Sequence, residues 1–141
     1  MRLAMITGAT AAALFAVAAQ ADNSITMDQP VTVSGIEAVC TGIGDAKTDP
    51  RWSAYPIRVE FANKAGQSVA GAHVTLAKAD GAALAQFDCG ANWVLFKLAP
   101  GKYKVTATIS EETGGTVSAS FAPPAKGQKR VSLRFTAASA Q

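Results

Sequence analysis

Apolar and polar residues alternate with a period of two along most of the chain after residue 30. In the run YPIRVEF (55–61), large apolar residues fall on one face, and Arg58 and Glu60 fall on the other. The runs AHVTLAKA, KYKVTATIS, TVSASFA and KRVSLRF repeat this pattern. Such alternation indicates strands that bury one face and leave the other in solvent.

Turn residues separate these runs at short intervals. The Asp80-Gly81 pair indicates a tight hairpin, and the segments KAGQ, APG, EETGG and PPAKGQ mark further turns. The pattern from Val31 to Val39 predicts a first strand, bent at Gly35. The pattern predicts an all-β fold, a two-sheet antiparallel β-sandwich of seven to eight strands.

The first 21 residues have a different character. Arg2 precedes an Ala-, Leu- and Phe-rich run that is too short to span a bilayer, and Ala19-Gln20-Ala21 forms an A-x-A cleavage pattern. These features predict a signal peptide (1–21) cleaved after Ala21, a sandwich domain (22–135) and a flexible tail (136–141). We therefore expect a protein of the periplasm or one that is secreted, without a membrane span.

The chain has two cysteines, Cys40 and Cys89. In an oxidising compartment such a pair predicts a disulfide, here closing a loop of about 50 residues. A redox pair or metal ligation is less favoured because no C-x-x-C is present and His73 is the sole histidine. We predict no metal site and no cofactor.

The longest irregular connection lies between Cys40 and Tyr55, and connections of this length are often functional. Trp52 stands there beside Arg51, and both residue types are enriched in binding hot spots. We consider two hypotheses: this loop forms a contact surface for a partner, or Trp52 folds back and caps the sandwich. The candidate binding surface comprises Asp45, Lys47, Asp49, Arg51 and Trp52. For the second tryptophan, Trp93, we expect packing in the core against the disulfide.

Residues for catalysis are sparse. A serine nucleophile needs a base, yet His73 alternates with the inward Val74 and so should face solvent. Glu111 and Glu112 are adjacent and would point to opposite faces of a strand. A calcium site at Asp45 and Asp49 is disfavoured by the neighbouring lysine and arginine. We expect no enzyme activity.

The charge balance excludes one class of partner. The chain carries 13 Lys+Arg against 10 Asp+Glu, a net charge of +3. This scattered excess is too mild to indicate nucleic-acid binding. Lys126, Lys129 and Arg130 form a small basic cluster that could meet anionic head groups or an acidic partner, although a solvated strand edge is the simpler interpretation.

The stretch LAPGKYKV (98–105) resembles the signature of carboxypeptidase regulatory-like domains, as do VAGAHVTLAKADGAAL before it and TVSASFAPPAKGQKRVSLRF after it. The match covers roughly Tyr55 to Phe135. With GIGDAKTDPRWSAYP, the chain is also similar to a group of small exported proteobacterial proteins of uncharacterised function. In this motif Pro100 and Gly101 suit a tight turn, and the hydroxyl of Tyr103 needs a partner.

The resemblance implies a transthyretin-like (prealbumin-like) or immunoglobulin-like sandwich and a non-catalytic module. The leading hypothesis is an exported binding or accessory module that engages another envelope protein or a surface glycan. The alternative is a structural protein that assembles with itself through its sheet edges.

Overall fold

A computed structural model describes residues 23–109 and 115–136. These residues form nine strands in two sheets. The strands are β1 Val31–Val33, β2 Ile36–Thr41, β3 Ile57–Asn63, β4 Ala72–Lys78, β5 Ala83–Cys89, β6 Trp93–Lys97, β7 Tyr103–Ile109, β8 Gly115–Phe121 and β9 Lys129–Phe135. The predicted signal peptide, Glu111 and Glu112, and all of the predicted tail except Thr136 lie outside the described residues.

The two sheets have the strand orders β1-β2-β6-β3-β9 and β5-β4-β7-β8. The prediction of an all-β, two-sheet sandwich is confirmed. The described residues contain nine strands instead of seven or eight because the run from Val31 to Val39 is a hairpin. Ser34 and Gly35 have φ of +50° and +82°, the pair of positive values that a tight two-residue hairpin turn requires.

One strand pair departs from the antiparallel expectation. β9 pairs with β3 in parallel register, from Ile57 opposite Lys129 to Asn63 opposite Phe135. The chain leaves β8 in the four-stranded sheet and passes through Pro123 and Pro124, which cannot continue a paired strand. It then enters the other sheet at its edge, where it runs in the same direction as β3. This crossover puts β9 beside a strand about 70 residues earlier in the chain.

The core lies between the sheets and contains the inward residues that the alternation predicted in β3, β7 and β9. Tyr55 falls on the same face of the pattern, but it precedes β3 and packs in the outer cluster instead. The largest side chains of the core include Phe61, Phe87, Phe96 and Phe135. Cys40 in β2 and Cys89 in β5 form a disulfide with a Cα–Cα distance of 5.5 Å, so the bridge joins one sheet to the other. Both cysteines are buried.

The Pro100-Gly101 turn connects β6 in one sheet to β7 in the other. Gly101 has a φ of +150°. The Tyr103 hydroxyl donates to the Ala99 carbonyl at 2.7 Å, and its ring stacks on Phe121 with the centroids 5.9 Å apart. The tyrosine is half-buried and braces the turn from the following strand.

Candidate functional site

The outer face of the five-stranded sheet is partly covered by the connection between β2 and β3. Residues 42–55, here called the capping loop, contain two short 3-10 helices, Gly44–Thr48 and Pro50–Ala54. Outward-facing Val39 in β2 and Leu95 in β6 are apolar and would otherwise meet water. Trp52 and Tyr55 pack on both of them and form a second, smaller hydrophobic cluster.

Trp52 is the centre of this cover. It is only 4% exposed, and its indole N–H donates to the Ala46 carbonyl at 2.8 Å. Its ring meets Tyr55 edge to face with the centroids 6.1 Å apart. Of the two interpretations of Trp52, the structure therefore shows the side chain folded back onto the sheet.

The remaining members of the candidate binding surface lie on the outside of the capping loop. Asp45 and Lys47 are exposed in the first 3-10 helix. Asp49 and Arg51 pair with each other at 2.7 Å, and the Arg51 guanidinium lies 4.5 Å from the Trp52 ring centroid. The side-chain hydrogen bond from Arg51 lowers the pKa of Asp49, and the same pairing raises the pKa of Arg51. The structure thus brings four of the five residues to one exposed loop surface, with Trp52 beneath them.

A polar contact holds the end of the capping loop to the sheet. The Tyr55 hydroxyl hydrogen-bonds Glu37 of β2, and Lys97 of β6 approaches Glu37 at 3.1 Å. The hydrogen bond from Tyr55, followed by that from Lys97, lowers the pKa of Glu37. Burial is the main reason that the pKa of Tyr55 is raised, and Glu37 adds to it. Lys97 also lies 4.9 Å from the Tyr55 ring centroid.

Beyond the capping loop, the outer face opens into a polar groove between β3, β9 and the start of β6. Its volume is about 370 Å³. We call it the arginine groove, and its main lining residues are Glu60, Ser68, Trp93, Arg130, Ser132 and Arg134. The parallel register creates it, because Arg58, Glu60 and Ala62 lie directly beside Arg130, Ser132 and Arg134.

Positive charge predominates in the arginine groove and next to it. The Nε atom of Arg130 lies 2.9 Å from Glu60 Oε2, and the Nε atom of Arg58 lies 3.6 Å from Glu60 Oε1. The Arg134 Nη1 donates to the Lys64 carbonyl at 3.3 Å. Arg58, Arg130 and Arg134 together with Glu60 leave a net charge of about +2.

Trp93 forms the wall of the groove nearest the capping loop. The Arg58 guanidinium lies 4.3 Å from its ring centroid. Gly42 lies so close to the ring that an added Cβ would come 2.6 Å from Trp93 Cγ. The expectation that Trp93 packs in the core was wrong, because the register with Thr41 and Glu60 places it on the outer face.

The sequence reasoning missed most of this groove. It singled out Arg130 within a basic cluster but did not connect it with Arg58, Glu60 or Arg134. Alternation did place Arg58 and Glu60 on one outer face. The missing information was that β3 and β9 are neighbours.

His73 lies on the outer face of the opposite sheet, as expected. Its Nδ1 is 2.6 Å from Asp88 Oδ1, and both side chains are about half exposed. The hydroxyl residue opposite His73 is Thr108, which hydrogen-bonds Thr116 at 2.9 Å. The His73–Asp88 pair therefore links β4 to β5 on the outer face of this sheet.

Within residues 23–109 and 115–136, no group of three or more His, Cys, Asp or Glu side chains is placed to hold a metal ion. Nor do these residues contain a helix of the length and apolar character needed to cross a membrane.

Comparison with models of known protein families finds no match to this chain, and comparison with curated proteins finds none either. The resemblance to carboxypeptidase regulatory-like domains consequently stays a prediction from sequence motifs.

Proposed function

We propose that this protein is an exported, non-catalytic binding or accessory module of the bacterial envelope that engages another envelope protein or a surface glycan. The observation that carries the proposal is the arginine groove. The groove and the adjoining Arg58 carry a net charge of about +2 on an outer face that the capping loop leaves open. Its partner would present negative charge.

The groups in the groove suit binding better than proton transfer. Guanidinium and hydroxyl groups donate hydrogen bonds to an anion, and a guanidinium does not act as a general base at physiological pH. Glu60 is held by Arg130 at 2.9 Å. The resemblance to carboxypeptidase regulatory-like domains supports the same interpretation, since it implies a non-catalytic module.

Export rests on the N-terminal pattern and on the disulfide. A structural bridge between Cys40 and Cys89 persists in an oxidising compartment. We expect the intact mass of the protein recovered from the cell envelope or medium to equal that of a chain without residues 1–21. A mass that includes Met1 to Ala21 would contradict this part of the proposal.

The binding role is tested by affinity capture from envelope extract after mild crosslinking. The test variant is Arg130→Gln combined with Arg134→Gln. Its control is Lys102→Gln combined with Lys104→Gln, which removes the same charge from exposed positions next to and in β7. We expect capture to fail only with the arginine variant. Equal capture by both variants would overturn the role of the groove.

A second candidate function is self-assembly through a sheet edge, and β8 is the observation that favours it. β8 is the last strand of its sheet, has seven residues and carries no charge or proline. Other edges are protected: β1 has only three residues, β9 carries three basic residues, and β5 is bonded to Asn23 and Ile25. A second copy could pair with β8 without like-charge contact.

Sedimentation equilibrium over a range of protein concentrations tests this alternative. If β8 pairs with β8 of another copy, Ser118→Lys should weaken association, because like charges would face each other across the new pair. Thr75→Lys adds the same charge in the central strand β4 and should have no effect. A wild-type protein that stays monomeric at high concentration would refute self-assembly.

A further inference from the structure

The arginine groove is longer than a single small anion requires. Arg130 and Arg134 are four residues apart on β9, so their Cα atoms are separated by about 13 Å at ~3.3 Å per residue. A carboxylate bound by arginine has nitrogen–oxygen distances of roughly 2.8 Å. The two arginine side chains are also held at different points, Arg130 beside Glu60 and Arg134 at the Lys64 carbonyl. The groove therefore suits a ligand whose negative charges repeat along its length.

Between the two arginines the groove offers a hydrogen-bond acceptor, Glu60, and a hydroxyl group, Ser132. Glu60 Oε2 lies 2.9 Å from Arg130 Nε, while Oε1 lies 3.6 Å from Arg58 Nε, which is too long for a hydrogen bond. Oε1 can thus accept from a ligand. Ser132 lies at the midpoint of β9, beside Glu60. A polyphosphate chain would place negative charge on this carboxylate, whereas a sugar hydroxyl would donate a hydrogen bond to it.

The walls of the groove disfavour a peptide partner. Many peptide partners insert apolar or aromatic anchors into fitted pockets. The apolar side chains that line this groove are Trp93, the small Ala62 and Phe61, which is only 1% exposed. The Trp93 ring is already engaged by Arg58 and Gly42. The other lining residues are charged, hydroxylated or glycine.

We infer that the arginine groove binds an acidic polysaccharide, with uronate carboxylates at Arg130 and Arg134 and sugar hydroxyls at Glu60 and Ser132 between them. This inference rests on the proposed binding function and specifies the ligand as a polyuronate. Binding is mainly electrostatic at its two ends, so its affinity falls as salt rises.

The test is calorimetric titration of the full exported protein, with its disulfide intact, against oligogalacturonate at low ionic strength. We expect Arg130→Gln and Arg134→Gln each to weaken binding by at least about tenfold, the loss of one charge-assisted contact. Lys104→Gln should leave the affinity unchanged. All three residues are exposed, so their thermal unfolding should match the wild type and exclude misfolding as the cause.

Two comparison ligands separate this inference from the proposed function. The methyl-esterified oligogalacturonide keeps the hydroxyls but lacks the charges, and we expect it not to bind. Polyglutamate carries carboxylates on a peptide. Equal binding of polyglutamate through the same arginines would overturn the polysaccharide inference and leave the proposed function in place. If oligogalacturonate does not bind but an envelope protein is captured through the arginines, the polysaccharide inference is likewise overturned and the proposed function stands. Failure of every anion, with no captured partner, would overturn both.

Discussion

Gly42 belongs to the capping loop and packs against Trp93, which lines the arginine groove. Its substitution therefore tests how the loop packs and how the groove is shaped. Its φ is +105°, a conformation that side chains rarely adopt. An added Cβ would lie 2.5 Å from Asn92 Oδ1 and 2.6 Å and 2.7 Å from Trp93 Cγ and Cδ2. Gly42→Ala therefore combines backbone strain with a steric clash against Trp93.

The two contributions can be separated with a second glycine. Gly81 has a φ of +95°, and nothing lies within 4 Å of a Cβ built on it. Gly81→Ala should destabilise the protein by about 1–2 kcal/mol from backbone strain alone. Gly42→Ala should cost the same and roughly a further 1–3 kcal/mol, because the ring and the Asn92 side chain must move.

Guanidinium unfolding with the disulfide intact measures both variants, and the midpoint should shift at an unchanged m-value. Because Trp93 lines the arginine groove, Gly42→Ala should also weaken binding at the groove while Gly81→Ala does not. If both variants lose the same stability and neither affects binding, Trp93 does not pack against Gly42 as described.

Three other predictions concern the capping loop and the disulfide. Trp52→Ala should cost about 3–5 kcal/mol, since it exposes the apolar outer positions of β2 and β6; a surface-like loss below 0.5 kcal/mol in chemical unfolding would contradict the cap. Replacing Cys40 and Cys89 by serine should cost about 4 kcal/mol for a sequence separation of 49, measured against the oxidised wild type. The lowered pKa of Glu37 stabilises the fold above pH 4.5, and this stabilisation is lost as the pH falls through the folded-state pKa. Glu37→Gln should therefore flatten the acid limb of the stability–pH curve below pH 4.5, and an unchanged limb would refute the Tyr55–Glu37 contact.

Much of the fold could be predicted because its signals are local. Period-two alternation assigns each side chain to one face of its own strand, and it correctly placed the core residues of β3, β7 and β9. Turn residues mark strand ends through backbone geometry alone. With only two cysteines, the disulfide pairing leaves a single possibility, and the structure forms it.

The roles of the two tryptophans were harder, because each depends on which strand lies beside it. The sequence did contain one usable signal. Val39 and Leu95 are apolar at positions that face outward, so the sheet needed a cover, and the adjacent irregular loop held a tryptophan that could supply it. Only the structure shows that Trp52 covers Val39 and Leu95 and that Trp93 instead lines the arginine groove.

By itself, then, the sequence determined an all-β sandwich, its buried faces and its disulfide, because these depend on alternation, turn chemistry and cysteine number. Tertiary structure alone decided the parallel pairing of β3 with β9. That pairing joins segments about 70 residues apart, and no local pattern records which strands become neighbours. The arginine groove exists only through it, since Glu60 and Arg130 meet across these two strands.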